Sequence, residues 1–138
     1  VTLALSAARS ALHDVLTPLL PAGRVHLYPP DHLVAPCAWI DQPSWSIDEG
    51  LTVAEYPIHL VADGSPTEQC RLLDAMADAA WTLMTGPYIP LDATPGSVDP
   101  GTGVELHEYV ITVQVCVDAV TFCPPDPATL PAWPVTTP

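Results

Sequence analysis

The sequence predicts an α+β domain, two helices packed on one face of a mainly antiparallel sheet of four to five strands, continued by a proline-rich, extended C-terminal arm. Three observations predict it. Two stretches carry apolar residues at helical spacing, several others alternate apolar and polar with a period of two, and the 18 prolines thicken towards the end of the chain. With 138 residues, 49% of them hydrophobic, the chain is sized for one core. One domain is expected over residues 1–122 and an arm over 123–138.

From Thr2 to Thr17, and on to Leu19, the residues Leu5, Ala8, Leu12, Val15, Leu16 and Leu19 recur on one side of a helix, with Arg9, Ser10, His13 and Asp14 on the other. Pro18, Pro21 and Gly23 stop this helix, because proline lacks a donor N–H and its ring collides with the preceding turn. A short strand is expected at Arg24 to Tyr28. Cys37 to Ile47 reads as a strand broken by Pro43, and Leu51 to Ala62 as its hairpin partner across the turn Asp48, Glu49, Gly50. In that second arm Tyr56, Ile58, Leu60 and Ala62 share a face opposite Glu55, Pro57 and His59, and Pro57 suggests an edge position or a bulge.

Ser65, Pro66, Thr67, Glu68 is the clearest local signal: serine caps, proline suits the first helical position, and glutamate completes a capping box. The helix it starts has the stripe Leu72, Leu73, Met76, Ala79, Ala80 and Leu83, and Gly86 with Pro87 ends it. Tyr88 to Val98 is turn-rich and predicts one short strand plus a loop. From Tyr109 the odd positions Ile111, Val113, Val115 and Val117 are apolar, which predicts a half-buried strand. Val104 and Leu106 lie on the other phase, and a bulge near His107 and Glu108 would reconcile them. Beyond Phe122 the chain is too rich in proline for helix or sheet and predicts a polyproline-like segment with Leu130 and Trp133 as apolar anchors.

Arg9, Arg24 and Arg71 are the only basic residues besides histidine, against 16 Asp and Glu, for a formal charge of −13. Phosphate neutralisation needs clustered Lys and Arg, so DNA binding through the backbone is not expected. The absence of Lys and Asn is a bias that a GC-rich genome explains. No basic leader with an apolar run and cleavage site is visible, and no stretch approaches membrane-spanning length, so synthesis in a host cytoplasm is expected. Cys37, Cys70, Cys116 and Cys123 match no zinc or redox spacing. The first three lie in apolar segments and read as buried thiols, with a Cys116 to Cys123 bridge as the alternative.

Chemistry-bearing motifs are sparse. His13, His26, His32, His59 and His107 form no HxH, HxxxH or HExxH spacing. His59 and His107, meeting across paired strands with Glu55 or Glu105, are the nearest approach to a metal site. No serine sits in a GxSxG elbow, and Gly96, Gly101 and Gly103 lie in a proline-broken turn instead of a strand-to-helix phosphate loop. Asp48 with Glu49, and Asp74 with Asp78, read as a turn and a solvated helical face. The expectation is a non-enzyme without cofactor or metal.

The pattern of amphipathic helix, strand, hairpin, capped helix and long closing strand resembles the tail terminator proteins of siphophages, particularly minor tail or neck proteins of actinobacterial phages. The resemblance rests on Val-His-Leu-Tyr-Pro-Pro-Asp at 25–31, the strand Cys37 to Ile40, Tyr56-Pro-Ile-His-Leu-Val, the Arg71-Leu-Leu-Asp-Ala helix and Glu108-Tyr-Val-Ile-Thr-Val-Gln-Val. It implies a virion protein that forms a homo-oligomeric ring, expected to be a hexamer, on the head-proximal end of the tail tube. There it ends tube polymerisation and meets the head-tail connector, while DNA passes through unbound. No residue-by-residue site carries over. From the residues themselves, Asp48, Glu49 and Glu55 are candidates for an acidic rim facing lumen or tube, and Leu130 and Trp133 for anchors on a neighbour. The alternatives are a head-tail stopper or adaptor, a small acidic ligand-binding domain or enzyme, and a nucleic-acid mimic that binds a basic protein.

Overall fold

The computed structural model describes residues 5–117, except for the side chain of Asp48; the arm, with Leu130 and Trp133, lies outside the described residues. The chain forms α1 (Leu5–Leu16), β1 (Val25–His26), β2 (Cys37–Ile40), β3 (Ser44–Asp48), β4 (Leu51–Val61), α2 (Pro66–Leu83), β5 (Tyr88–Val98) and β6 (Leu106–Cys116). The six strands make one sheet in the order β1-β2-β4-β6-β5, with β3 also pairing β4 beyond the end of β2. Only β1 and β2 run parallel. The fold is α+β, as the patterning predicts.

Both helices pack on the same face of the sheet. Ala8, Leu12 and Leu16 of α1 and Leu73, Met76 and Ala80 of α2 join Ala54, Tyr56, Ile58, Leu60, Ile111, Val113 and Val115 in one core. These are the alternate positions of β4 and β6, whose pairing Tyr56↔Val113 and Ile58↔Ile111 places two apolar rows side by side. Burial of each such aliphatic side chain stabilises by about 1.5–3 kcal/mol, so this face holds the sheet and helices together.

Local signals set the helix ends. α1 runs into a single 3-10 turn, Thr17–Leu19, where Pro18 is tolerated at the start. Ser65 caps α2, its hydroxyl accepting from the Glu68 N–H at 3.3 Å. The buried face of α2 is narrower than the predicted stripe: Leu72 and Ala79 point outward, while Gln69 is buried in their place. Its amide donates to the Gly64 carbonyl (2.7 Å) and accepts from the His107 N–H (2.9 Å), tying the first turn of α2 to β6. A polar side chain with both ends satisfied is as well suited to that position as an apolar one.

The hairpin between β3 and β4 closes on Glu49 and Gly50, at φ 50° and 81°. Two successive left-handed residues make the turn whose twist matches antiparallel strands, and glycine at the second position suits it.

Three prolines within strands correct the sequence reading. Pro57 is in central β4, not at an edge or a bulge. Its carbonyl accepts from the Asp41 N–H (2.8 Å), so its backbone faces the side where the chain breaks between β2 and β3, and no strand there requires a donor from it. By alternation, Tyr56 and Ile58 bond towards β6, and Val113, Ile111 and Tyr109 bond back towards β4. Pro90 and Pro95 pair with Val113 and Tyr109, so both turn their missing donors outward from edge strand β5. One bulge at Leu91 keeps the two prolines in that same phase. Tyr88–Val98 is therefore a full 11-residue strand and not a short strand plus a loop.

No bulge occurs near His107 and Glu108; β6 runs unbroken against both neighbours. The phase change at Leu106 has another cause. Leu106 and Val98 pack with Leu33, Ala35, Cys37, Trp39 and Val61 in a second, smaller cluster on the face without helices. A two-faced sheet makes both phases partly apolar, which defeats an argument from period alone.

Candidate functional site

On the helix-free face, β4 carries His59 between two carboxylates. Its Nδ1 lies 3.0 Å from Oε2 of Glu108 on β6, and its Nε2 lies 3.1 Å from Oδ2 of Asp41, just after β2. The imidazole stacks on Trp39 of β2, with ring centroids 4.8 Å apart and planes 6° from parallel. Each ring nitrogen thus has a carboxylate oxygen within hydrogen-bond distance, one from either side of β4. Gly96 on β5 faces Glu108; a Cβ there would sit 3.2 Å from Oε1, so the missing side chain leaves room for the carboxylate. The cluster cross-links three strands. With both nitrogens engaged by carboxylates and one ring face on Trp39, the imidazole is held as a link between strands.

His107 is not part of it. Adjacent positions on a strand point to opposite faces, and His107 is exposed while Glu108 turns to His59. Glu55 lies beside Ser44 and Gln114, and Glu105 accepts from Ser97 Oγ at 3.3 Å, so the metal grouping of His59, His107, Glu55 and Glu105 is not assembled. Among the described residues no three His, Cys, Asp or Glu side chains are placed to hold a metal ion.

Arg9, expected on the solvent side of α1, is 3% exposed. Its Nη1 donates to the carbonyls of Leu27 (2.9 Å) and Ile40, and its Nη2 to the Asp41 carbonyl (3.0 Å) and Gln42 Oε1 (3.1 Å). Tyr28 and Tyr56 lie over the guanidinium at 4.4 and 5.6 Å. Carbonyl dipoles and ring faces, not a carboxylate, compensate this buried charge. It clamps α1 to the bend between β2 and β3 where the chain turns out of the sheet, next to Asp41. Tyr56 adds a bond from its hydroxyl to the Leu5 carbonyl (2.7 Å), and burial pushes its pKa up to about 12.

Cys37 is buried, which pushes its thiol up to about 11. Cys70 corrects the expectation of burial, since it sits on the exposed side of α2, and Cys116 is a half-buried free thiol. In the loop before β6, Asp99 Oδ1 accepts the N–H groups of Gly101, Thr102 and Gly103 at 2.8–3.2 Å, which gives those glycines a turn role. Gly96 belongs instead to β5.

The remaining surface is suited to contact. Trp45 (48% exposed), Ile47 (62%) and Leu51 (49%) stand on the β3–β4 hairpin. Glu49 occupies its turn, and Glu55 lies four positions from the base of that turn, about 13 Å away at ~3.3 Å per residue. A second apolar strip, Leu72, Ala75, Ala79 and Leu83 with Pro18 and Leu19, lines shallow clefts along the outer side of α2. No helix among the described residues is long and apolar enough to cross a membrane.

This architecture has a solved counterpart. The chain is similar to a protein in the structure described as "Virion of native gene transfer agent (GTA) particle", with 16% identity and a TM-score of 0.55 over 80% of this chain and 96% of that one. The likeness shows a shared fold. No protein-family model matches the sequence, and no curated protein matches it. Asp41, Trp39 and Glu108 escaped the sequence reading because they come from the end of β2 and from β6, and meet His59 of β4 only through a register that no local pattern reveals. Arg9 had a weak signal, as the one charged residue in α1 flanked directly by the core position Ala8.

Proposed function

We propose that this chain is a structural virion subunit that acts as a tail terminator: a ring, expected to be a hexamer, capping the head-proximal end of a phage tail tube. The observation that carries the reading is the fold likeness to almost the whole of a chain from a virion particle. Physical chemistry supports it in three ways. Among the described residues the sheet is open and no strand pairs the outer side of β3, and large apolar side chains on that hairpin are exposed, as in a subunit whose neighbours complete it. Head-to-tail contacts between such subunits close into rings. A charge of −13 disfavours phosphate binding, which suits a channel that DNA must traverse.

In this reading the partners are copies of itself, the tail tube protein below and the head-tail connector above. Asp48 at the end of β3 and Glu49 in the turn, with Glu55 further back, form the acidic rim towards lumen or tube. The domain over 1–122 makes the ring body and the arm over 123–138 reaches a neighbour through Leu130 and Trp133. Its role is assembly, without catalysis or cofactor.

Imaging of particles assembled without the protein tests this. Overlong or uncapped tubes are the expected outcome. Tubes of normal length with empty or leaking heads would overturn termination and favour a stopper or adaptor of the neck.

A further inference from the structure

Besides the two-residue strand β1, the sheet has edges at β5 and, beyond the end of β2, at β3, and these two are built differently. On β5, Pro90 and Pro95 face outward and offer no donors, so a strand from another molecule gains little there. On β3 the pairs Asp48↔Leu51, Ser46↔Val53 and Ser44↔Glu55 bond inward to β4, in the same phase as Pro57. The N–H and C=O groups of Trp45 and Ile47 therefore point away from the sheet. Their exposed side chains share the helix-bearing side, level with Ala54 and Thr52. An apolar strand edge with its backbone groups unpaired is an aggregation hazard unless something covers it.

We propose that the outer edge of β3 is the seat of the C-terminal arm of a neighbouring copy, an inference that rests on the ring reading above. The arm's sequence fits the edge. Prolines at 124, 125, 127, 131 and 134 leave a segment rich in carbonyl acceptors and poor in donors. It can take the Trp45 and Ile47 N–H groups without creating a new edge for further strands. In a polyproline helix residues three apart share a side, which puts Leu130 and Trp133 together, about 9 Å apart, to lie against Ile47 and Trp45.

The point of exit supports a neighbour as the receiver. β6 runs towards the hairpin turn and ends with Cys116 opposite Val53, on the far side of β4 from β3. Residues 123–138 at ~3.1 Å per residue reach about 50 Å, more than the ~36 Å length of β4. Its own β3 lies across β4 from that exit, whereas a span of this length also reaches the β3 edge of an adjacent subunit.

Hydrogen exchange on the full-length protein, with its mass measured in parallel, tests the seat. The Trp45 and Ile47 amides are expected to exchange at least about 100-fold more slowly in the oligomer than an unpaired strand edge allows. The full-length Leu130→Ser/Trp133→Ser variant is expected to lose that protection and the oligomer together, while amides in β4 and β6 remain protected. Ownership of the arm is read by mixing a Ser46→Cys chain with an Ala132→Cys chain, native cysteines replaced by serine. A disulfide between the two chains is expected. Freely exchanging Trp45 and Ile47 amides in the full-length protein overturn the proposal, as does their protection in a single copy, which would mean that the arm covers its own edge. Failure here with overlong tubes in particles lacking the protein leaves termination standing, whereas a seated arm with normal tubes removes termination alone.

Discussion

Replacing Arg9 with methionine keeps most of the side chain's volume and removes the guanidinium. Four acceptors then lose their donor: the carbonyls of Leu27, Ile40 and Asp41, and Oε1 of Gln42. The Ile40 carbonyl is buried and water cannot replace the lost bond, at a cost of about 1–3 kcal/mol. The other three are partly exposed and rehydrate, leaving roughly 0.5 kcal/mol each. Loss of the contacts with Tyr28 and Tyr56 adds about 1 kcal/mol. Removing a desolvated charge gives some of this back, so the expected net destabilisation is about 2–4 kcal/mol. That is a substantial fraction of the ~7–20 kcal/mol expected of a domain this size. Urea unfolding followed by far-UV circular dichroism is the assay, with a lower midpoint at unchanged slope as the expected signature. Arg9→Lys should fall between parent and Arg9→Met, because one ammonium can serve only some of the four acceptors. A loss below about 0.5 kcal/mol for Arg9→Met would refute the clamp and return Arg9 to the role of a covered surface residue.

Four further outcomes are expected. A double-mutant cycle of His59→Gln and Glu108→Gln should show a coupling of about 1–2 kcal/mol, since both side chains are largely buried, whereas a cycle with the more exposed Asp41 should give under ~1 kcal/mol. Cys70 should react with a maleimide in the folded protein and Cys37 should not, read by mass after digestion. Cys37 and Tyr56 keep their protons to higher pH in the folded chain than in the unfolded one. Their stabilisation is therefore complete below about pH 9, and the unfolding midpoint should fall as pH rises from 9 through 11 and 12. Glu49→Gly should stabilise the hairpin by up to ~1 kcal/mol and Gly50→Val destabilise it by about 1–2 kcal/mol, both read from thermal melting, because both positions are left-handed.

The α+β class, the C-terminal end of α1, both ends of α2, the hairpin turn and the long closing strand were all legible in the sequence. Each depends on contacts within a few residues. Ser65 caps with a hydroxyl three positions from its partner, Glu49 and Gly50 turn within a four-residue unit, and the odd row from Tyr109 shows its buried face by its own period. The composition likewise pointed away from phosphate binding without reference to any fold.

Tertiary structure decided what depends on distant partners. Whether a proline is tolerated in a strand is a question about the neighbour its nitrogen would face: for Pro57 the break after β2, for Pro90 and Pro95 open solvent. The staple at His59 joins residues 18 and 49 positions away, and Arg9 gathers acceptors up to 33 positions away. Side chains like these meet only once register is set, and register comes from the burial of two apolar rows against two helices. The chain's own letters state that burial pattern, but the polar contacts it brings together follow only from the assembled sheet.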